Sequence, residues 1–167
     1  MAARLDATLV FQALESILAE LFSGPAPTGT WVLDHGSRTD LLATLEALTA
    51  EQASQKPIPG HPSIAGHANH LRFSLGLLNR WAGGEPNPFA GADWKASWRL
   101  QKVGAAELDE LRAALRAEAE SWRRAVRQPR EWEAISVTGA LASAAHVAYH
   151  LGAIRQLAHL VAEPTNS

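Results

Sequence analysis

Residues 138–161 decide the fold, and they read TGALASAAHVAYHLGAIRQLAHLV. Alanine and leucine dominate this stretch, and its apolar positions recur at spacings of three and four residues, which indicates a helix. At about 100° per residue, His146 and His150 lie about 40° apart on this helix, one turn above the other. Ser143 and Tyr149 fall on the same mostly apolar stripe, which we expect to face the protein interior.

The rest of the chain repeats this pattern and contains few β-branched residues. We therefore predict an all-α protein in which the helices of residues 1–167 pack as a single bundle domain. Ser63 is the expected N-terminal cap of the third helix. Proline and glycine residues end most of the predicted helices, which cover about residues 5–22, 39–48 with one more turn at 49–54, 63–81, 105–127 and 138–161. We expect the connections through Trp31 and over residues 85–101 to be long and irregular.

Composition and charge exclude several functional classes. The 167 residues contain no cysteine, which excludes disulfides, a thiolate nucleophile and zinc sites built on sulfur. The formal net charge is -2 and basic residues are scattered, so we expect no nucleic-acid partner. Charged residues interrupt the apolar pattern of residues 1–22, so we expect no signal peptide or membrane span and assign the protein to the cytoplasm.

A second pair of histidines lies on the third helix. His67 and His70 are about 60° apart on a stripe that we also expect to face inward. A lone buried histidine is usually a satisfied core residue, but four on facing stripes are hard to explain by packing. Clustered imidazoles favour a metal site, and three protein ligands with an open position are typical of a catalytic one. A di-iron carboxylate site is excluded because no histidine follows a glutamate by three residues.

Two segments resemble the DinB-like (YfiT-like) superfamily, whose members are four-helix bundles regarded as metal-dependent. Residues 63–71, SIAGHANHL, are similar to its Ser-initiated second bundle helix, in which a histidine seven positions after the serine binds metal. Residues 145–152, AHVAYHLG, are similar to its final helix, with two ligands in a His-x-x-x-His-x-Gly pattern. The resemblance covers about residues 39–160 and implies a four-helix bundle with an additional short helix.

The resemblance also implies a ligand set and a chemistry. It selects His70, His146 and His150 as ligands of a divalent metal, with zinc favoured and nickel or iron as alternatives. Four roles stay open for His67: a ligand in place of His70, a fourth ligand, a residue that contacts and orients the ligands, or a general base. We favour the last two roles. Members of the family include thiol transferases and thiol-dependent isomerases, which implies a low-molecular-weight thiol as cosubstrate in this chain without cysteine.

Other residues are weaker candidates. His35 is a candidate acid–base group, although a histidine beside aspartate and glycine is more often a turn residue. Tyr149 is a candidate to bind the cosubstrate or to fill core. We expect Trp94 and Trp98 to anchor their irregular segment to the bundle more than to wall a pocket. Small residues on the back of the last helix, Ala144, Ala148 and Gly152, are compatible with a homodimer seam or with packing within the monomer.

Two functional hypotheses of different class follow. The first is a metal-dependent enzyme that transfers a thiol to a small-molecule substrate or hydrolyses one. The second is a non-catalytic bundle, stabilised by its metal, with a role in binding or stress response. A metal-free bundle with a buried imidazole network is a third alternative.

Overall fold

The computed structural model describes residues 7–35 and 38–162, and within them the chain is all-helical, as predicted. The α-helices are α1 (Ala7–Ser23), α2 (Leu41–Glu46), α3 (Ala50–Ser54), α4 (Ile64–Ala82), α5 (Ala105–Arg127) and α6 (Ala134–Ala162). A 3₁₀ turn, Ala96–Trp98, lies in the connection between α4 and α5. The described residues form no strand, only an isolated bridge between Ala26 and Gly29. The predicted helix start at residue 5 lies outside them.

Side-chain caps explain where three of the helices begin. Ser63 caps α4 as predicted, because its hydroxyl accepts a hydrogen bond from the Gly66 amide at 3.1 Å. Asp40 caps α2 in the same way. Thr49 and Gln52 form a reciprocal capping box at the start of α3, the turn that the sequence predicted at 49–54.

Helix α6 begins one turn earlier than predicted, at Ala134 rather than at Thr138. Residues 135–138 include three β-branched side chains, whose helix propensity is low. Val137 packs against the core and its amide donates to the Glu133 carbonyl at 3.0 Å. Tertiary packing therefore overrides the local preference at this end.

Helices α4 and α5 run parallel, because residues 83–104 return along the bundle before α5 begins. The Ser63 amide donates to Gln101 at 2.8 Å near the start of both helices, and Asn79 donates to the Glu118 carbonyl at 2.9 Å further along them. This crossover brings the turn Ala96–Trp98 against the first half of α4.

Helices α1 and α6 complete the bundle. Glu15 of α1 pairs with Arg123 and Arg127 near the end of α5, and Phe11 stacks on Trp132 just beyond it, so α1 is antiparallel to α5. Helix α6 is antiparallel to α4. Leucines and alanines from these four helices form the core around Trp122, a fully buried residue. No helix in the described part of the chain is long and apolar enough to cross a membrane.

The loop after α1 is fixed by a buried carboxylate. Glu20 accepts hydrogen bonds from three consecutive amides, those of Trp31, Val32 and Leu33, at 2.8, 2.8 and 2.6 Å. Burial alone would raise the pKa of Glu20, but the three amides outweigh it and hold the pKa below its usual value. This contact attaches the irregular segment before α2 to the bundle.

Candidate metal centre

Three histidine side chains from two helices meet inside the bundle. Helix α4 supplies His70, and α6 supplies His146 and His150. The Nε2 atom of His146 lies 3.2 Å from Nε2 of His70 and 2.9 Å from Nε2 of His150. His70 is 7% exposed and His150 3%, while His146 is half-buried. One nitrogen of each ring lies within 4.8 Å of those of the other two.

Ser97 determines which nitrogen of His70 carries the proton. Its hydroxyl donates to the Trp94 carbonyl at 2.7 Å and lies 2.8 Å from Nδ1 of His70. Since the hydroxyl proton is used, the oxygen accepts from an Nδ1–H group. The neutral ring therefore presents a free lone pair on Nε2 to the other two histidines.

Ser74 makes an equivalent contact with Nδ1 of His146. Its hydroxyl donates to the Leu71 carbonyl at 3.0 Å and lies 3.4 Å from Nδ1 of His146. The contact is longer, so it constrains the ring less, but it also favours a lone pair on Nε2.

His67 lies behind His150 rather than within the Nε2 cluster. Its Nδ1 is 2.9 Å from Nδ1 of His150, the nitrogen that faces away from the other two rings. When His150 presents its Nε2 lone pair, its Nδ1–H group donates to His67. This is the geometry of a residue that orients a ligand, one of the alternatives open from the sequence.

The convergent nitrogens fit a shared cation. When all three rings carry their protons on the outer nitrogens, the tautomers that Ser97, Ser74 and His67 favour, the Nε2 lone pairs converge and repel one another unless a positive charge lies between them. A proton on one Nε2 would instead pair that ring with its neighbour, the arrangement of a metal-free imidazole network. Two nitrogens that each lie about 2.0–2.1 Å from one ion can be as far apart as about 4 Å, and the observed separations of 2.9 and 3.2 Å are below that limit. The donor set, three neutral imidazoles, is therefore compatible with a divalent metal.

The surroundings keep these imidazoles neutral. Burial, followed by the charge of neighbouring histidines, lowers the pKa of His70 to about 4 and that of His150 to about 3. Burial also lowers the pKa of His67 and of His146. Neutral imidazole is the form that binds metal, so the rings are ready to act as ligands near neutral pH.

Aromatic side chains of the crossover cover the cluster. The Trp98 ring stacks on His70 with 4.1 Å between centroids and 16° between planes, and Trp94 lies 6.0 Å from the same ring. Asn69 fixes the segment by donating to the Ser97 carbonyl at 2.7 Å. The two tryptophans thus anchor the crossover, as expected, and also form one wall of the histidine site.

The remaining sequence candidates lie elsewhere. Tyr149 is 73% exposed, so its expected inward orientation is wrong, although its ring stands edge-on to His150 at 5.0 Å. His35 is exposed and lines a cavity with Asp40 and Arg116 at the start of α2, and none of that cavity's residues belongs to the histidine cluster.

Sequence reasoning missed the parts that Ser74 and Ser97 play. Ser74 lies on the inward stripe with the histidines, a signal that pointed to it without giving it a role. Ser97 lies 27 residues after His70, in an irregular segment, so no helical spacing in the sequence links the two residues.

Comparison with protein families gives a match. A family model described as the DinB superfamily matches residues 33–154, a span that includes all three convergent histidines and both serines. None of the curated proteins and none of the solved structures matches the chain. Because the matched span covers well over half of the chain and contains the histidine centre, the chain belongs to the DinB superfamily.

Proposed function

We propose that this protein is a divalent-metal-dependent enzyme that acts on a small molecule by thiol transfer or hydrolysis. The observation that supports it most directly is the convergence of one ring nitrogen from each of the three histidines, with hydrogen-bond partners on the outer nitrogens that favour lone pairs on Nε2. Three histidines with an open fourth position are a catalytic donor set for zinc, and nickel or iron also suits it. Bound there, the ion would supply Lewis acidity that lowers the pKa of a thiol or water.

The chain's own residues hold and orient the ligands. Ser97 and Ser74 keep protons on the outer nitrogens of His70 and His146, and Trp98 fixes the plane of the His70 ring. His67 accepts from His150 at Nδ1, so its neutral ring carries its proton on Nε2. This arrangement supports an orienting role for His67 over that of a general base.

The substrate side of the site lies near Tyr149 and Trp94. Both rings are exposed and each lies next to a metal-site histidine, at 5.0 and 6.0 Å between centroids. We assign to the Tyr149 hydroxyl a hydrogen bond to the substrate or cosubstrate. Since the chain has no cysteine, the thiol of a transfer reaction comes from a small cosubstrate.

Metal content tests the site itself. Tag-free wild type, His146→Ala and His159→Ala are stripped with a chelator, loaded with zinc, desalted and assayed by elemental analysis. His159 lies on the same helix but is exposed, so its variant is the matched control. We expect about one zinc per chain in wild type and His159→Ala and almost none in His146→Ala. Equal metal in all three, or none in wild type, would contradict the proposal.

Ligand exchange distinguishes the enzyme from a metal-stabilised structural bundle, an alternative favoured by the deep burial of His70 and His150. Adding 2-mercaptoethanol to the cobalt-loaded protein should produce a thiolate-to-cobalt absorption band if a coordination position is open. Chelation should then leave most of the melting temperature intact. No spectral change together with a large loss of melting temperature would favour the structural role.

A further inference from the structure

A second candidate site lies at the other end of the bundle. A cavity of about 540 Å³ opens between α1, the end of α5 and the loop that leads to α6, a volume within the usual range for small-molecule pockets. Trp81 of α4 contacts Trp132, which lines this cavity. Trp81 follows His70 by eleven helical residues, which corresponds to about 16 Å along the axis of α4. The cavity is therefore separate from the histidine centre.

The cavity carries an excess of positive charge. Glu15 and Arg127 line it, and the Glu15 carboxylate already pairs with both Arg127 and Arg123. Arg130 also lines it, and no carboxylate in the described part of the chain forms a salt bridge with it. The two arginines that line the cavity thus exceed its one carboxylate by one charge, and Arg130 forms no salt bridge within the described part of the chain.

The Arg130 guanidinium is held in place but has unused donors. It lies 5.2 Å from the ring centroids of both Trp81 and Trp132. Its Nε–H group is buried without an acceptor among the described residues, and its Nη2 makes only a long contact, 3.4 Å, with the Ala82 carbonyl. A buried donor without a partner is unfavourable, and a carboxylate is the acceptor that a guanidinium fits best.

An aromatic wall stands beside this charge. Phe11 and Trp132 both line the cavity and stack with 3.9 Å between centroids and 21° between planes. Phe11 is 7% exposed, so the half-buried Trp132 offers most of the surface available to a flat apolar group, while Glu15 disfavours an anion of high charge. A monovalent aromatic anion matches both features.

We propose that this cavity binds a small aromatic carboxylate, with Arg130 and Arg127 on the carboxylate and the wall of Phe11 and Trp132 against the ring. This site goes beyond the metal-dependent activity, because it uses none of the histidines.

Calorimetric titration of the full-length, zinc-loaded protein with 1-naphthoate tests the proposal, with 1-naphthamide as the uncharged control ligand. We expect naphthoate to bind and Arg130→Met to weaken binding by about tenfold or more. Arg124→Met removes an exposed arginine of α5 that does not line the cavity and should bind as wild type does. Equal binding of the amide, or wild-type binding by Arg130→Met, would overturn the proposal.

Two further measurements test the proposal without the Arg130→Met variant, in case that variant does not fold. In wild type, naphthoate should shift the indole N–H resonance of Trp132, assigned with Trp132→Phe, and leave that of Trp98 unchanged. His146→Ala should bind naphthoate with unchanged affinity. A Trp132 resonance that stays in place, or loss of binding in His146→Ala, would show that naphthoate does not occupy this cavity.

Discussion

Replacing Ser97 by alanine should weaken metal binding without removing a ligand. The change deletes the acceptor 2.8 Å from Nδ1 of His70, so the proton of the neutral ring is free to move to Nε2 and block the lone pair. A neutral hydrogen bond contributes about 0.5–1.5 kcal/mol net. Trp98 still stacks on the ring and preserves its plane. We therefore expect a zinc affinity about 3- to 10-fold weaker, at or below the low end of the 10- to 100-fold range typical of residues that orient metal ligands.

Competition between the metal-free protein and a chromogenic chelator for zinc measures this affinity. Ser74→Ala should have a smaller effect, about twofold, because its contact with His146 is 3.4 Å long. Ser16→Ala, an exposed serine of α1, is the control and should change nothing. The tautomer argument is refuted if Ser97→Ala binds zinc as wild type does, or if Ser74→Ala is the more damaging of the two.

Three further predictions concern stability. Glu20→Gln should cost about 2–4 kcal/mol in urea unfolding, because it replaces a charged acceptor of three amides by a side chain that also donates; a loss below 1 kcal/mol would contradict this. Metal-free protein should lose stability as pH falls from about 6.5 towards 3, because the lowered pKa values of His70 and His150 leave the folded state with fewer protons than the unfolded state. Below about pH 4.5 the lowered pKa of Glu20 adds to this loss, so denaturation midpoints should fall from about pH 6.5 and more steeply below about 4.5; midpoints that stay constant between about pH 6.5 and 5 would contradict this. Gly66→Ala should destabilise by about 1–2 kcal/mol because its Cβ would displace the Gln101 amide, which accepts from the Ser63 amide and donates to the Trp98 carbonyl. Gly152→Ala, with open space around it, should stabilise by up to about 1 kcal/mol; melting curves that rank the two variants in the opposite order would refute this.

The sequence predicted the elements whose signals are local. Helix α5 has the predicted bounds, 105–127, because a well-patterned charged helix is closed by Pro129. Ser63 was identifiable as a cap because capping depends on residues only three positions apart. The inward orientation of both histidine pairs also followed from helical spacing alone.

The failures arose where tertiary contacts decide. Helix α6 has apolar residues around most of its circumference, so spacing could not show that Tyr149 lies outside the interior stripe. The contact that supports an orienting role for His67 is with His150, 83 residues away in sequence. Spacing on α4 left His67 and His70 equivalent, and only the family pattern favoured His70.

The histidine nitrogens and the side chains that surround them come from different parts of the chain. Helices α4 and α6 carry the nitrogens, while the crossover supplies the serine and the tryptophans that surround His70. Because irregular segments accept insertions and substitutions more readily than packed helices, substitutions there would alter the groups around His70 while leaving the helices that carry the nitrogens unchanged. Under the proposed enzymatic role, such a division would let the surroundings of the centre diversify without loss of its three histidines.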